Sequence, residues 1–370
     1  MRVAPRSRNG VALPLAVFAL VVLGVLVATS FFVGRQELAV GTSTVRLQEA
    51  LAAAEGGMDL QVALWDPGVL NVMAIEDSVP FAGALPTGGW YRGATRRLSD
   101  LLFLVRSEGF SRDSGARRQI GMLVRLRPVE VRLTAALTTR GATAVGGLAR
   151  IDGEDRAPAA WSDCESAQPP VAGIHVPSAS DLSTAGCTGP PCVSGSPDVL
   201  ADSSLDGPAL TGFGDATFDD LRLRATVTIP GGVRRIEPSE VGGVCNTLDP
   251  DNWGSPLQPA GPCGRRFPLV WSEGDLTITG GEGQGVVVVN GDLSVGGGVA
   301  FSGVLIVRGT ITAGTGATIS GGVVAANVTE RQNDIGGSTV IQYSACAAAR
   351  SLRLSALAAP LRSRGWVALY

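Results

Sequence analysis

The sequence predicts an α+β protein: a long N-terminal membrane helix, a small antiparallel sheet, and then a short right-handed β-solenoid interrupted by an irregular, disulfide-bearing insertion. Three observations carry that expectation. Residues 11–33 form an uncharged apolar run, three β-type runs crowd the stretch from Trp90 to Leu126, and a glycine-marked template recurs in the C-terminal half. Composition agrees: 50 Gly and 22 Pro among 370 residues favour β-structure with tight turns, and 45% hydrophobic residues can fill a core.

Val11 to Val33 (VALPLAVFALVVLGVLVATSFFV) is long enough to cross about 30 Å of hydrocarbon as a helix. Arg2, Arg6 and Arg8 precede it with no acidic residue among them, which holds the N-terminus in the cytoplasm and places the chain beyond Gly34 outside. A cleaved signal peptide competes with this reading. It would have a shorter apolar core and end at a small-residue cleavage site, which ATSFFVGRQ does not offer. Arg35 to Leu64 is rich in helix formers, has no Pro, and places Leu38, Val45, Leu51, Ala52 and Met58 at helical spacing, so one helix is expected over 11–64. Gly56 and Gly57 are expected to weaken or bend it, and Asp66-Pro67 lies beyond its end.

Residues 65–130 read as an antiparallel meander, from the runs WYRGATRRL, LLFLVRSEG and RRQIGMLVRL with short polar or Gly-bearing links. The repeat follows. Leu137–Gly153, Val270–Gly285, Val287–Gly303 and Leu305–Gly321 share an apolar triplet, a Gly in fifth place (Gly141, Gly274, Gly291, Gly309) and a closing Gly. Val287 and Leu305 open copies 18 residues apart, too short for a propeller blade and without helical pattern, so each copy is one solenoid coil in which Val288 and Ile306 should stack. The first coil falls at 131–153 and the others at 268–330, with VVAANV from Val323 able to open a further one. Between them 154–267 is expected to leave the stack as an irregular excursion, and 331–370 to be a tail with a short helix.

None of the 30 basic residues is Lys, which removes a Walker A lysine, a Schiff-base lysine and a Ser-Lys pair together. The single His175 forbids a two-His metal set and is expected to be a loop or structural histidine. GGEGQG lacks the aspartate of a calcium nonapeptide, since Gly285 stands in its place, and no dinucleotide fingerprint opens a helix. Asp152, Glu154 and Asp155 read as a solvated turn ahead of a cation cradle, and Asp219-Asp220 as a turn before a strand. No cofactor or metal is expected. At a net charge of −3 no basic field is available to hold nucleic acid.

All six cysteines (Cys164, Cys187, Cys192, Cys245, Cys263, Cys346) follow the apolar run, and five lie in the 154–267 excursion. An even number outside the membrane fits disulfides in an oxidising space; zinc is the competing use, with Cys187 and Cys192 the one near pair. Cys245 and Cys263, isolated from the rest around a Pro-rich segment, are expected to bond to each other.

A short Arg-bearing leader, Gly10, the start VALPL, the uncharged span and then RQELAVGTSTVRLQEALAAAEGGMD together resemble the N-terminal region of PilX-type minor pilins of type IV pili. The resemblance covers about the first sixty residues. It implies a prepilin leader over 1–10 cut between Gly10 and Val11, and a helix signature at Ala53-Ala54-Glu55. It also places Leu15 where most major pilins carry a Glu. It further implies other pilin subunits, the pilus assembly machinery and the inner membrane as partners, with a pilus or the cell surface as destination and a tip or priming role.

Three classes of function follow: a non-enzymatic minor pilin; a membrane-anchored β-solenoid surface protein unrelated to pili; and a polysaccharide-acting enzyme on the solenoid. The enzyme would draw on Asp152, Glu273, Asp275, Glu282 and Asp292, of which Asp275 and Asp292 would stack.

Overall fold

The computed structural model describes residues 12–86, 88–164, 168–188, 191–205, 210, 212–213, 216–328, 331–361 and 366–369. The chain divides into two compact units, one of 1–64, 75–124 and 360–370 and another of 65–74 and 125–359. The expected 65–130 segment is thereby corrected, because its first ten residues and those after Val124 pack with the second unit.

Helix α1 runs unbroken from Ala12 to Ala63. Within it the hydroxyls of Thr29 and Ser30 donate to the carbonyls of Val25 and Leu26 at 2.7 and 2.9 Å. Gly56 and Gly57 do not bend it. They make room: a Cβ on Gly57 would stand 2.4 Å from the Tyr91 ring, and one on Gly56 2.9 Å from Leu85.

Tyr91 belongs to an antiparallel sheet of β1 (Ser78–Ala84), β2 (Trp90–Arg97), β3 (Leu102–Phe110) and β4 (Arg117–Arg127), paired in that order. Leu357–Pro360 and Trp366–Leu369 add to β4, so the expected C-terminal tail ends in strands of this sheet. The register sets Ala84 opposite Trp90 and Trp90 opposite Phe110. The link between β3 and β4 is a turn in which the Asp113 carboxylate accepts from Ser111 Oγ (2.8 Å) and Gly115 N (3.0 Å).

Among the described residues the second unit is built on a large curled sheet of 17 parallel-paired strands. One line of it runs Val227–Ile229, Leu269–Ser272, 286–289, 304–307, 322–325, Ala135–Thr139, Ala172–Val176 and Val199–Ala201. A second line runs Gly232–Ile236, 276–278, Leu293–Val295, Ile311–Ala313, Asn333–Ile335, Thr143–Gly147 and Leu182–Cys187. Parallel strands buried on both faces demand continuous apolar side chains. The column Val270, Val287, Leu305, Val323, Leu137, Ile174 supplies them, each at most 1% exposed.

Order in the chain is not order in the stack. The first coil, 135–152, docks on 323–325 and 340–342, rungs made almost two hundred residues later. Two expectations are corrected by this. The 154–267 excursion is not wholly irregular, since 172–201 extends the stack past the first coil and 227–236 begins it at the far end. Likewise 331–343 is a rung, not a tail, and only after it comes the capped helix Ala345–Leu354. That helix follows the rung because Ser344 Oγ accepts from Ala347 N at 3.3 Å, and Ala347, Ala348, Ser351 and Leu354 are its buried positions.

Three of the fifth-place glycines, Gly141, Gly291 and Gly309, have a steric cause, whereas Gly274 faces only Pro230 O at 3.8 Å. The Asp275 carboxylate accepts from Asp292 N, and Asp292 accepts from Thr310 N, both at 2.8 Å. A Cβ on Gly291 or Gly309 would lie 2.4 or 2.0 Å from those carboxylate oxygens. One rung further Asn327 and Asn333 replace the aspartates, bonding Thr139 and Thr143 in a buried network.

Candidate functional site

The feature that separates this chain from an ordinary globular protein is α1, whose two halves are built differently. From Leu13 to Val33 the large apolar residues are exposed, for example Leu15 at 63% and Phe18 at 68%. The helix is long and apolar enough to cross a membrane, and its most apolar window is 0% buried. The second half lies on the sheet. Ala50, Ala53, Ala54 and Met58 are at most 1% exposed while Glu55 points to solvent.

Small residues at 50, 53 and 54 let the helix backbone approach β3 closely. A Cβ on Gly109 would stand 2.2 Å from both Ala50 O and Ala54 N. The Ala53-Ala54-Glu55 signature is therefore one contact edge with one solvent-facing carboxylate. Gly109 was not legible as its counterpart, although a Gly inside a strand is the usual sign of close backbone approach. Further up, a groove of about 760 Å³ runs along Gly34, Leu38, Gly41, Val45 and Arg46 beside Arg112. Arg46 pairs with Asp113 at 2.7 Å. The backbone N–H of Gly115 and the Ser111 hydroxyl, with Arg46, hold the Asp113 carboxyl below its ordinary value. Gly10 and Val11 lie outside the described residues.

The cysteines are paired as Cys164–Cys346, Cys187–Cys192 and Cys245–Cys263, and none of them is free. Cys245 and Cys263 close a loop folded over Trp253, which is fully buried, and Asn252 Nδ2 lies 3.4 Å from both sulfurs.

The residues of the competing readings are spoken for by the fold. Asp152 is buried, not a solvated turn: it pairs with Arg150 at 2.7 Å and Arg156 at 3.5 Å and accepts from Glu154 N. Asp155 accepts from Ala345 N, Glu273 pairs with Arg222 at 2.6 Å, and Glu282 accepts from Ser255 Oγ and Leu257 N. Asp219 and Asp220 open the helix Phe218–Arg224 instead of a turn before a strand, with Thr217 and Asp220 forming a capping box. His175 sits on the strand Ala172–Val176, not in a loop. Its Nδ1 is 2.8 Å from Thr134 Oγ1, and its buried Nε2 has no hydrogen-bond partner, with Asp202 at 3.9 Å. Burial pushes its pKa below the ordinary 6.5, and Asp202 opposes this. Among the described residues no group of three or more His, Cys, Asp or Glu could hold a metal ion.

No family model and no curated protein matches the chain. Among solved structures it is similar to the competence-associated pilin ComZ from Thermus thermophilus, at 14% identity over 88% of this chain and 98% of that one, with a TM-score of 0.25. That likeness is weak, carries no argument about fold, and gives no support to a PilX-type assignment in particular.

Proposed function

We propose that the chain is a non-enzymatic, minor pilin-like subunit of a type IV pilus-like system. The observation that carries this is the composite helix: an exposed, uncharged half continuing without a break into a half that seats Ala53 and Ala54 on a small antiparallel sheet. In this reading 1–10 is a prepilin leader cut after Gly10. The apolar half holds the chain in the inner membrane with its N-terminus inside, and later packs among other pilin subunits brought together by the assembly machinery. The curled sheet is read as a right-handed β-solenoid, the hand that parallel crossovers adopt almost without exception.

Leu15 would stand where a major pilin's carboxylate neutralises a neighbour's terminal ammonium inside the membrane. An unpaired charge in hydrocarbon is costly, so a subunit without that carboxylate is poorly suited to the repeating lattice and suited to a tip or priming position. Mass spectrometry of the protein from its native membrane tests the reading. Val11 is expected as the first residue; an intact Met1 or a start near Phe31 would overturn it. Quantitative mass spectrometry of sheared filaments should find the chain far below the major subunit, and comparable copy numbers would refute the tip position.

A further inference from the structure

The antiparallel sheet of the first unit has two unlike faces. Side chains alternate along each strand, and residues directly opposite one another share a face. Phe103, Val105 and Gly109 belong to the face that carries α1, and the first two are fully buried. On the other face the register sets Ala82, Arg92 and Glu108 in one row and Pro80, Ala94 and Arg106 in the next. Both rows place short side chains beside long ones. The result is a hollow of about 610 Å³, with Pro80, Ala82 and Ala94 as its floor and Arg92, Arg106, Glu108 and Gln119 around it. That volume falls within the ~300–1,000 Å³ of ordinary small-molecule sites and is far more than a simple anion fills.

The charges around the hollow do not cancel. Glu108 is held between Arg92 at 2.8 Å and Arg117 at 3.4 Å, and Glu76 pairs with Arg96. Of the other carboxylates between 75 and 124, Asp77 and Asp100 lie by Arg97, which is buried on the helix side, and Asp113 pairs with Arg46. Arg106 lies opposite Ala94, is exposed, and has no ion-pair or hydrogen-bond partner among the described residues; the side-chain amide of Gln119 has none either. Arg92 is fixed from the side, its Cζ 5.2 Å from the Phe110 ring, which stacks on Trp90 at 3.7 Å between centroids.

We propose that this hollow binds an acidic sugar, a hexuronate unit of a polysaccharide. The unmatched guanidinium of Arg106 takes the sugar's carboxylate, in the two-point geometry that suits arginine. The Glu108 carboxylate and the Gln119 amide take its hydroxyls, and its C–H face rests on Pro80, Ala82 and Ala94. A phosphate dianion would be set against the oxygens of Glu108, and a nucleic-acid strand would find one unmatched arginine where it needs several. The site does not depend on the pilin reading, because none of its residues lies in α1.

The test uses the full chain in micelles of a detergent without a sugar head group, with digalacturonic acid as the probe, followed by saturation-transfer NMR of the sugar signals. Saturable binding is expected. The dimethyl ester of the probe, which keeps the hydroxyls and loses the charge, should bind about tenfold more weakly, and Arg106→Gln should weaken binding of the acid by about the same factor, the loss of one charge-assisted contact. Ala94→Leu, which fills the floor, should abolish binding. Circular dichroism confirms that both variants are folded. No saturable binding of digalacturonate, equal affinity for acid and ester, affinity unchanged in Arg106→Gln or in Ala94→Leu, or displacement by inorganic phosphate or an oligothymidylate at equal concentration would overturn the proposal.

Discussion

Replacing Ile306 by Ala tests the register of the curled sheet most directly. Ile306 is 1% exposed, lies between Val288 and Val324 in adjacent rungs, and packs in the cluster that includes Trp271 and Val286. Because the neighbouring rungs are tied by main-chain hydrogen bonds, they cannot collapse fully into the space left. The loss therefore combines transfer and cavity costs, about 3 kcal/mol. For a unit of this size that lowers the melting temperature by roughly 6–12 °C. Ile306→Asp should cost more, since it leaves a carboxylate without a partner in the same place. The comparison is Val233→Ala on an edge strand, exposed at 74%, which should stay within about 0.5 kcal/mol. Thermal unfolding of purified full-length protein, followed by circular dichroism, reads all three. Equal tolerance of Ile306→Ala and Val233→Ala would refute the stacking.

Acid should weaken the end of the stack that holds His175. Its pKa is depressed in the folded chain, so the unfolded chain takes up the proton first; the stability from keeping it neutral is full above 6.5 and is lost as pH falls toward the lower folded value. Unfolding measured in denaturant across that range should show a slope that His175→Gln removes, and an unchanged slope would count against it. Replacing Cys245 and Cys263 together by Ser should cost about 3 kcal/mol by freeing the loop between them in the unfolded chain, seen as a shift of the denaturant midpoint. Glu282→Ala should cost about 1 kcal/mol, because it strands the part-buried Ser255 hydroxyl that now donates to the carboxylate; a shift indistinguishable from zero would refute that role. Gly109→Val should disrupt the seating of α1 on β3, detected as new protease sensitivity between residues 50 and 63, and full resistance would argue that the helix does not approach so closely.

How much of this was legible depends on the range over which each signal acts. The helix was readable because its cause is local: no charge over 11–33 and no Pro before Asp66. The glycine template was readable because the same corner chemistry returns at Gly291 and Gly309, each facing the aspartate of the previous rung. What Gly56 and Gly57 do was not, because it is decided by Leu85 and Tyr91, which arrive later in the chain. Asp152 misled for the same reason. Its sequence neighbours suggest a wet turn, whereas the rungs at Val340–Tyr343 and Val193–Ser194 cover it on both sides.

The permuted winding of the stack is the deepest instance. A template finds rungs but does not say which rung docks on which, and the first coil carries no residue that names 323–343 as its neighbour. That choice follows from apolar surface: Leu137 and Ile151 would stand bare until Val323 and Ile341 are in place. Contacts of such long sequence separation form late and leave an unpaired parallel edge exposed in the meantime. In the oxidising space expected outside the membrane, Cys164–Cys346 ties the segment just after the first coil to the helix just after the last rung, at a sequence separation of 182. A covalent link between these two segments holds together the ends of the chain that must meet for the stack to close, and it can form once both have been made.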